Sequence, residues 1–418
     1  MVSKIWREWR FPVEFALLLA LAFFLPLREA PKNLFWLAYV VVWVVNRVRS
    51  REWGGRWDGW DTLILLWLGS GYLAALFAGI RTPEGNEWGA VNDLVRYAVL
   101  LFCVRRAGYT LEQCAALLIV LLVSCVAGTL EGIWNWRVVH KRKWIELVSV
   151  GHVNHSAIYI VICLGAGAGM MVSIGQILRP AWRGLLAAAI FFLLASVFAG
   201  ESRAAVLAAL SLLAAIFVLG RTRIGAVFGA LAFASVIGAA AVLGGTGSLE
   251  RQIQNIEANN ILSERDLIWN RALVAVRAAP WFGVGMDNFS RITDERLKSW
   301  LAEQQRTHVE RDYARAPHGH SLYINTVTER GLVGLAVLLA ILGAWAVALV
   351  HRRPDASSPL IQSTIWYAAF SAWFVTVVIG VVNTTMHHEH AMLAVTMLAM
   401  LIPALPAHPG RSAMPEAS

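Results

Sequence analysis

Two histidines, His318 and His320, stand in the run Ala316-Pro317-His318-Gly319-His320-Ser321, where a polar stretch gives way to an apolar one long enough to enter a membrane. An imidazole held at such a boundary exchanges protons near neutral pH while its surroundings set its orientation, so it can serve as a general base. The plain alternative is a pair of interfacial side chains reaching toward lipid headgroups. Arg203 lies in the tight turn Gly200-Glu201-Ser202-Arg203 between two apolar runs, and Arg265 lies near the head of a predicted helix that begins at Ser263. A guanidinium in the first turn of a membrane helix is costly unless it faces a polar cavity or a partner, and its planar fork of donors suits phosphate oxygens. Glu201 either pairs with Arg203 and orients it or caps the turn. For Arg265 the positive end of its helix reinforces an anion site, against a surface ion pair with Asp266 or Glu264 worth about 0.2–1 kcal/mol.

Two further groups share the chemistry. His387, His388, Glu389 and His390 lie between the last two apolar runs, and Arg137, Lys141, Arg142 and Lys143 crowd an earlier connector. Imidazole and carboxylate are common zinc ligands, but the spacing of the first group fits no recognised ligand pattern, so polar lining of a cavity is expected and no metal. The basic connector reads equally as an anion site and as a solvated loop or headgroup anchor.

The spacing His320, Ser321, Tyr323, Glu329, Gly331, Gly334 resembles the H-[NS]-x-Y-[LI]-x4-E-x-G-x2-G signature of the O-antigen ligase and polymerase superfamily of polytopic membrane glycosyltransferases. Gly200-Glu201-Ser202-Arg203-Ala204-Ala205 is similar to that family's S-R-[AG] element, and Pro280 to Phe289 resembles its P-x2-G-x-G-x2-[NT]-[FY] turn. The resemblance implies His320 as catalytic base, with His318 of less weight, and Arg203 and Arg265 as the diphosphate-holding arginines. His318, Tyr323, Glu201, His387, His388 and the connector residues Arg137, Lys141, Arg142 and Lys143 are assigned to substrate binding. It further implies an inverting, metal-independent transfer with no cofactor, from an undecaprenyl diphosphate-linked O-antigen donor to a lipid A-core acceptor at the bacterial inner membrane, the active site facing the periplasm. The histidine and arginine elements are nearest the ligases; the polymerases and the protein O-oligosaccharyltransferases remain as alternatives within the superfamily. A flippase or transporter for lipid-linked sugar is the alternative of another class, against which stand the absence of an internal repeat and of paired broken spans.

Composition sets the frame that must position these residues. The chain has 418 residues, 58% hydrophobic and 15% charged, with 19 Trp, which describes an integral membrane protein. Its four cysteines fall in apolar runs and its net charge of +9 is spread in small groups between them, so neither a disulfide framework nor nucleic-acid binding is indicated, and membrane lipids are the expected surroundings. An all-α polytopic fold of about twelve transmembrane helices follows, with a retained first span at Phe11–Leu27 and others near residues 34–48, 61–80, 88–105, 112–133, 155–175, 182–199, 203–219, 224–243, 322–350, 360–383 and 390–405. Lys4, Arg7, Arg10, then Arg47 to Arg56, Arg105 and Arg106, Arg179 and Arg183, Arg221 and Arg223, and Arg352 and Arg353 occupy alternate connectors, which places them and both termini in the cytoplasm. Residues 1–243 are then spans one to nine, 244–320 a periplasmic lid, 321–405 the last three spans and 406–418 a cytoplasmic tail. The lid carries ten Lys or Arg against ten Asp or Glu, so it reads as a structured cover with amphipathic helices over residues 263–279 and 293–307. In the first of these, Leu267, Ile268, Leu273, Val274 and Val276 are expected to face the membrane domain.

Overall fold

The computed structural model describes residues 2–81, 86–200, 202–220 and 264–404, with side chains from residue 13 onward. The expected span at 224–243, Glu201, Ser263, Arg221, Arg223, the side chains of Lys4, Arg7 and Arg10, and the tail lie outside the described residues. Every regular element described is helical: α1 (Val2–Phe24), α2 (Glu29–Ser50), α3 (Gly59–Leu76), α4 (Glu87–Arg106), α5 (Leu111–Arg137), α6 (Val153–Ile174), α7 (Pro180–Ala199), α8 (Arg203–Gly220), α9 (Arg265–Ala278), α10 (Asp294–Glu303), α11 (Leu322–His351), α12 (Leu360–Gly380) and α13 (His388–Leu401), with two short 3-10 turns in the lid. Among the described residues α3, α5, α6, α7, α8, α11 and α12 are long and apolar enough to cross a membrane. Helices α1, α2, α4 and α13 do not meet that measure although each coincides with an expected span: α13 has only 14 residues, and α4 carries Asp93 and Arg96 mid-helix as well as charges at both ends.

The bundle has two packed groups. Helix α6 is the centre of one, lying against α12, α8, α7 and α5, while α3 packs on α4 and α11, and α13 bridges α4 and α12. Small residues let α6 approach its neighbours closely: a Cβ on Gly165 would stand 2.5 Å from the Ser371 hydroxyl, and one on Gly169 would stand 2.2 Å from Tyr367. One end of the bundle is closed by buried ion pairs. Arg105 meets Asp61 and Asp58 at 2.5 Å and Arg106 meets Asp61 at 2.6 Å, while Asp58 and Asp61 also form the capping box that starts α3. Arg47 pairs with buried Glu14 at 3.3 Å, and Arg352 donates to the Leu401 carbonyl at 2.7 Å. Among the described residues, the connectors carrying Arg47, Arg105, Arg106 and Arg352 meet at this end, where Arg47, Arg105 and Arg106 are buried structural partners.

At the other end sits the lid. The first amphipathic helix ends where expected, before Pro280; its N-cap is Glu264 in a left-handed conformation (φ 63°), and the expected Ser263 cap lies outside the described residues. Its buried face is Ile268, Arg271, Ala272, Val274 and Ala275, and Leu273 points outward. The face is turned because Arg271 is needed inside: it donates to the Ile292 carbonyl at 2.6 Å and pairs with Asp294 at 2.5 Å, tying α9 to α10. The second helix starts at its Thr293 cap and ends at Glu303, four residues earlier than expected.

The turn Pro280–Phe289 joins lid to bundle. Gly79 and Ile80, just after α3, donate backbone hydrogen bonds to Gly283 and Val284, and Val284 and Gly285 donate to Thr328 and Glu329 of α11. Helix α11 is broken at Gly331 (φ 64°, ψ −169°), a region of backbone space open essentially to glycine alone. The amides freed by the break are taken up by the turn: Leu332 donates to the Pro280 carbonyl at 2.8 Å and Val333 to that of Trp281 at 3.2 Å. An unpaired amide at membrane depth would cost several kcal/mol, so turn and break require one another.

Candidate functional site

The break explains how the histidines are aimed. Upstream of Gly331, Glu329 accepts from the Phe289 amide at 3.3 Å and from the Asn325 side chain at 3.0 Å. Asn325 in turn accepts from the amide of Gly319 at 2.8 Å, and the Gly319 carbonyl accepts from the Trp269 indole of α9 at 2.9 Å. Gly319 separates His318 from His320, so both imidazoles hang on a backbone fixed from the lid and from α11 at once. Ser321 caps α11 through the Ile324 amide at 3.4 Å and donates to the Gly380 carbonyl at 3.2 Å. His320 is held at φ 45°, a left-handed conformation uncommon for a residue with a Cβ and typical of side chains that a site over-determines.

The arginines arrive from separate elements. Arg203 is the first residue of α8 and Arg265 the first of α9, and both are half-buried. Burial, and then the neighbouring Arg203 charge, lower the Arg265 pKa from its ordinary value. Burial, then the Arg265 charge, then His152 lower that of His320. Arg265 thus lies within electrostatic reach of both Arg203 and His320: two fixed cations, since arginine keeps its proton, and an imidazole biased toward its neutral, proton-accepting form.

Beside them opens a cavity of about 440 Å³ between α3, α4, α11 and the head of α13, with His155, His318, His387, His388, Asn325, Glu329 and Arg330 in its wall. The His318 and His320 rings are 4.3 Å apart, centroid to centroid. His318 is pushed down to about 4 by burial and then by His320, and burial takes His387 well below the usual range. His155, in the first turn of α6, was not among the expected site residues, yet its ring is 6.1 Å from His318, 5.9 Å from His387, 5.6 Å from His388 and 5.1 Å from His390. The signal was present: Gly151-His152-Val153-Asn154-His155 repeats the placing of a histidine at the head of an apolar helix. Glu329 and Arg330 were likewise not singled out for the site.

The other expected residues are distributed as follows. His387 and His388 line the cavity. Glu389 is turned away from it, ion-paired with buried Lys32 of α2 and accepting from Ser149 at 3.3 Å, and His390 meets the Thr384 carbonyl at 3.1 Å. Among the described residues no group of three or more His, Cys, Asp or Glu has an arrangement that could hold a metal ion. Tyr323 spends its hydroxyl on the Val377 carbonyl of α12 at 3.1 Å. Arg137, Lys141, Arg142 and Lys143 are exposed on the connector leading to α6, outside the cavity wall; Arg137 stacks on Trp136 at 3.7 Å and Arg142 pairs with Glu146 at 2.9 Å. Glu201 is outside the described residues.

Residues 188–339 match the family model described as O-antigen ligase. The match takes in Arg203, Arg265, the glycine turn and the His318–Gly331 run, and it supports membership of the O-antigen ligase superfamily, whose members are ligase- and polymerase-type glycosyltransferases acting on lipid-linked glycan donors. Together with the apolar helices it marks a multi-pass membrane protein. A search of the curated proteins gave no match.

Proposed function

From this membership of the O-antigen ligase superfamily, we propose that the protein is the ligase itself, transferring an O-antigen glycan from undecaprenyl diphosphate to a hydroxyl of lipid A-core oligosaccharide. The observation that carries this reading is the grouping of His320 with Arg265 and Arg203 at the lid end of the bundle. In the reaction the acceptor oxygen attacks the anomeric carbon as His320 takes its proton. The carbon–oxygen bond to the diphosphate breaks with its electron pair going to the diphosphate, where Arg203 and Arg265 stabilise the growing charge. The configuration inverts, the two guanidiniums supply the positive charge, and no nucleotide is consumed because the leaving group is already a diphosphate.

The same reading sets the protein in the inner membrane with twelve spans, both termini in the cytoplasm and the lid in the periplasm. What supports the sidedness is that the basic connectors close one end of the bundle while the site opens at the other. Deleting the gene and running the lipopolysaccharide on a gel tests the assignment. Loss of the ladder with intact core, and glycan accumulating on the lipid carrier, supports the ligase. Core carrying a single repeat unit would make the protein a polymerase, and an unchanged ladder would remove it from lipopolysaccharide assembly.

A further inference from the structure

Helix α5 has 27 residues, about 40 Å at a rise of about 1.5 Å per residue, against a hydrocarbon core about 30 Å thick. It starts just past Ala107, whose carbonyl accepts from Arg47, and the connector after it leads into α6 at His155, beside His318. Its far end is therefore at the level of the site, with the last turns standing past the hydrocarbon. Along its outward face Ile119, Val123, Leu130 and Trp134 are all exposed, at spacings that keep one stripe of the helix turned away from the bundle.

On this stripe the chemistry changes in the order of a membrane boundary: aliphatic side chains, then Trp134, then the exposed Arg137, Lys141, Arg142 and Lys143. The basic run is folded rather than trailing. The Val138 and Val139 amides donate to the Trp134 carbonyl at 2.9 and 3.0 Å, and the Lys141 and Arg142 amides to that of Asn135 at 2.9 and 3.3 Å, so these helix-end carbonyls are satisfied by backbone and not by the basic side chains. The acids of this corner are already taken, Glu131 by Arg28 at 2.7 Å and Glu146 by Arg142 at 2.9 Å. Arg137 lies on the Trp136 ring at 3.7 Å, and among the described residues Arg137, Lys141 and Lys143 have no carboxylate partner.

Topology does not account for these charges. Positive charge sorts to one face of a membrane protein, and the buried arginine pairs occupy the opposite end of the bundle. The cavity does not account for them either, because all four residues lie outside its wall, at the end of a stripe that faces lipid. Ammonium and guanidinium groups spread over an exposed turn suit many exchangeable anions lying in one plane, which is what the phosphates of a leaflet present. We infer that the connector at residues 137–143 is a docking surface for anionic phospholipid headgroups in the leaflet on the site's side of the membrane. Docking there tethers to the membrane surface the segment that leads into α6 and His155. The inference rests on the membrane-spanning bundle and is independent of the transfer reaction.

The four native cysteines are buried, so Val139→Cys in the full chain, at an exposed position of the turn, carries a single fluorophore. The labelled protein is placed in phosphatidylcholine vesicles holding a minor fraction of phosphatidylglycerol or phosphatidylcholine with a nitroxide at the top of one acyl chain, and quenching is measured. The phosphatidylglycerol nitroxide is expected to quench about fivefold more strongly, the enrichment that one basic residue gives at an anionic membrane surface. Arg137→Gln, Lys141→Gln and Lys143→Gln together should bring the two quenchers level, and so should 1 M salt on the unsubstituted connector, where the screening length is about 3 Å. Equal quenching with the unsubstituted connector would overturn the proposal, and quenching by neither would place the turn in water. A preference that survives the triple substitution would assign the attraction to other residues. Loss of the preference on adding equimolar lipid A-core would replace the phospholipid surface by a single glycolipid and overturn it as well.

Discussion

A Cβ placed on Gly331 would stand 2.2 Å from the carbonyl oxygen of Trp281. That single distance links the signature glycine of α11 to the lid turn, because the Trp281 carbonyl is where the broken helix delivers the Val333 amide. Two residues upstream of the break, Glu329 anchors the chain of hydrogen bonds that ends on Gly319 between the histidines. Gly331→Ala is expected to lower stability by about 1–3 kcal/mol from backbone strain alone, with more from the clash, and to reduce transfer further by loosening the histidines. Thermal unfolding in detergent and a transfer assay at matched expression read the two effects; an alanine variant with wild-type stability would show that the break does not need glycine.

Arg265 is expected to act twice, on the diphosphate and on the base. Arg265→Gln should lower kcat by on the order of 10²–10³, as removal of one donor to a developing anion does. Its charge also disfavours protonation of His320, so without it the His320 pKa rises. A base that must be neutral is then lost at higher pH, and the acid limb of kcat/KM moves upward. Arg265→Lys should keep that limb in place and recover only part of the rate, since it keeps the charge without the bidentate fork. A limb that stays put in Arg265→Gln would separate the two residues.

His318 makes stability depend on acidity in one direction. Its pKa is lowered from the ordinary 6.5 to about 4 in the folded protein, so between those values the unfolded chain binds more protons. Stability is therefore full above about pH 6.5 and falls as the pH drops toward 4. His318→Gln should flatten that part of the curve. Detergent-phase melting temperatures across pH 4–7 check it, and identical slopes for both proteins would contradict the burial argument.

Sidedness can be read by labelling, with positions chosen by exposure. Arg106 would be a misleading site, because it is buried against Asp61 and a cysteine there would be unreachable from either face. Arg353 and Arg142 are exposed. Cysteines at these positions in intact cells should respond oppositely to a membrane-impermeant reagent, labelled at 142 and protected at 353. Labelling at 353 would invert the topology.

The candidate residues were legible in the sequence where type and spacing coincide with a local element. Histidine before an apolar helix, arginine at a helix head and the paired glycines of the Pro280–Phe289 turn are all readable one segment at a time. Where the outcome depended on a distant partner, the reading stopped short. Leu273 looks like a core position of α9 by periodicity, and only Asp294 and Ile292 explain why Arg271 is inside instead. His155 gains meaning only once the fold brings α6 beside α13 and His318. Periodicity likewise made one continuous helix of α11, since Gly331 differs from an ordinary helical glycine only through the carbonyl packed against it.

The central claim is that His320 removes the acceptor proton. A general base contributes about 10²–10⁴ in rate, so His320→Ala should lose transfer to that extent while folding normally and still binding the lipid-linked donor, and His318→Ala should keep part of the activity. The direct measurement is single-turnover transfer from purified lipid-linked glycan to lipid A-core, run on wild type and both variants in the same vesicles. Transfer abolished in His320→Ala and only weakened in His318→Ala is the predicted result; near wild-type transfer by His320→Ala with a dead His318→Ala would contradict it and move the base two residues upstream.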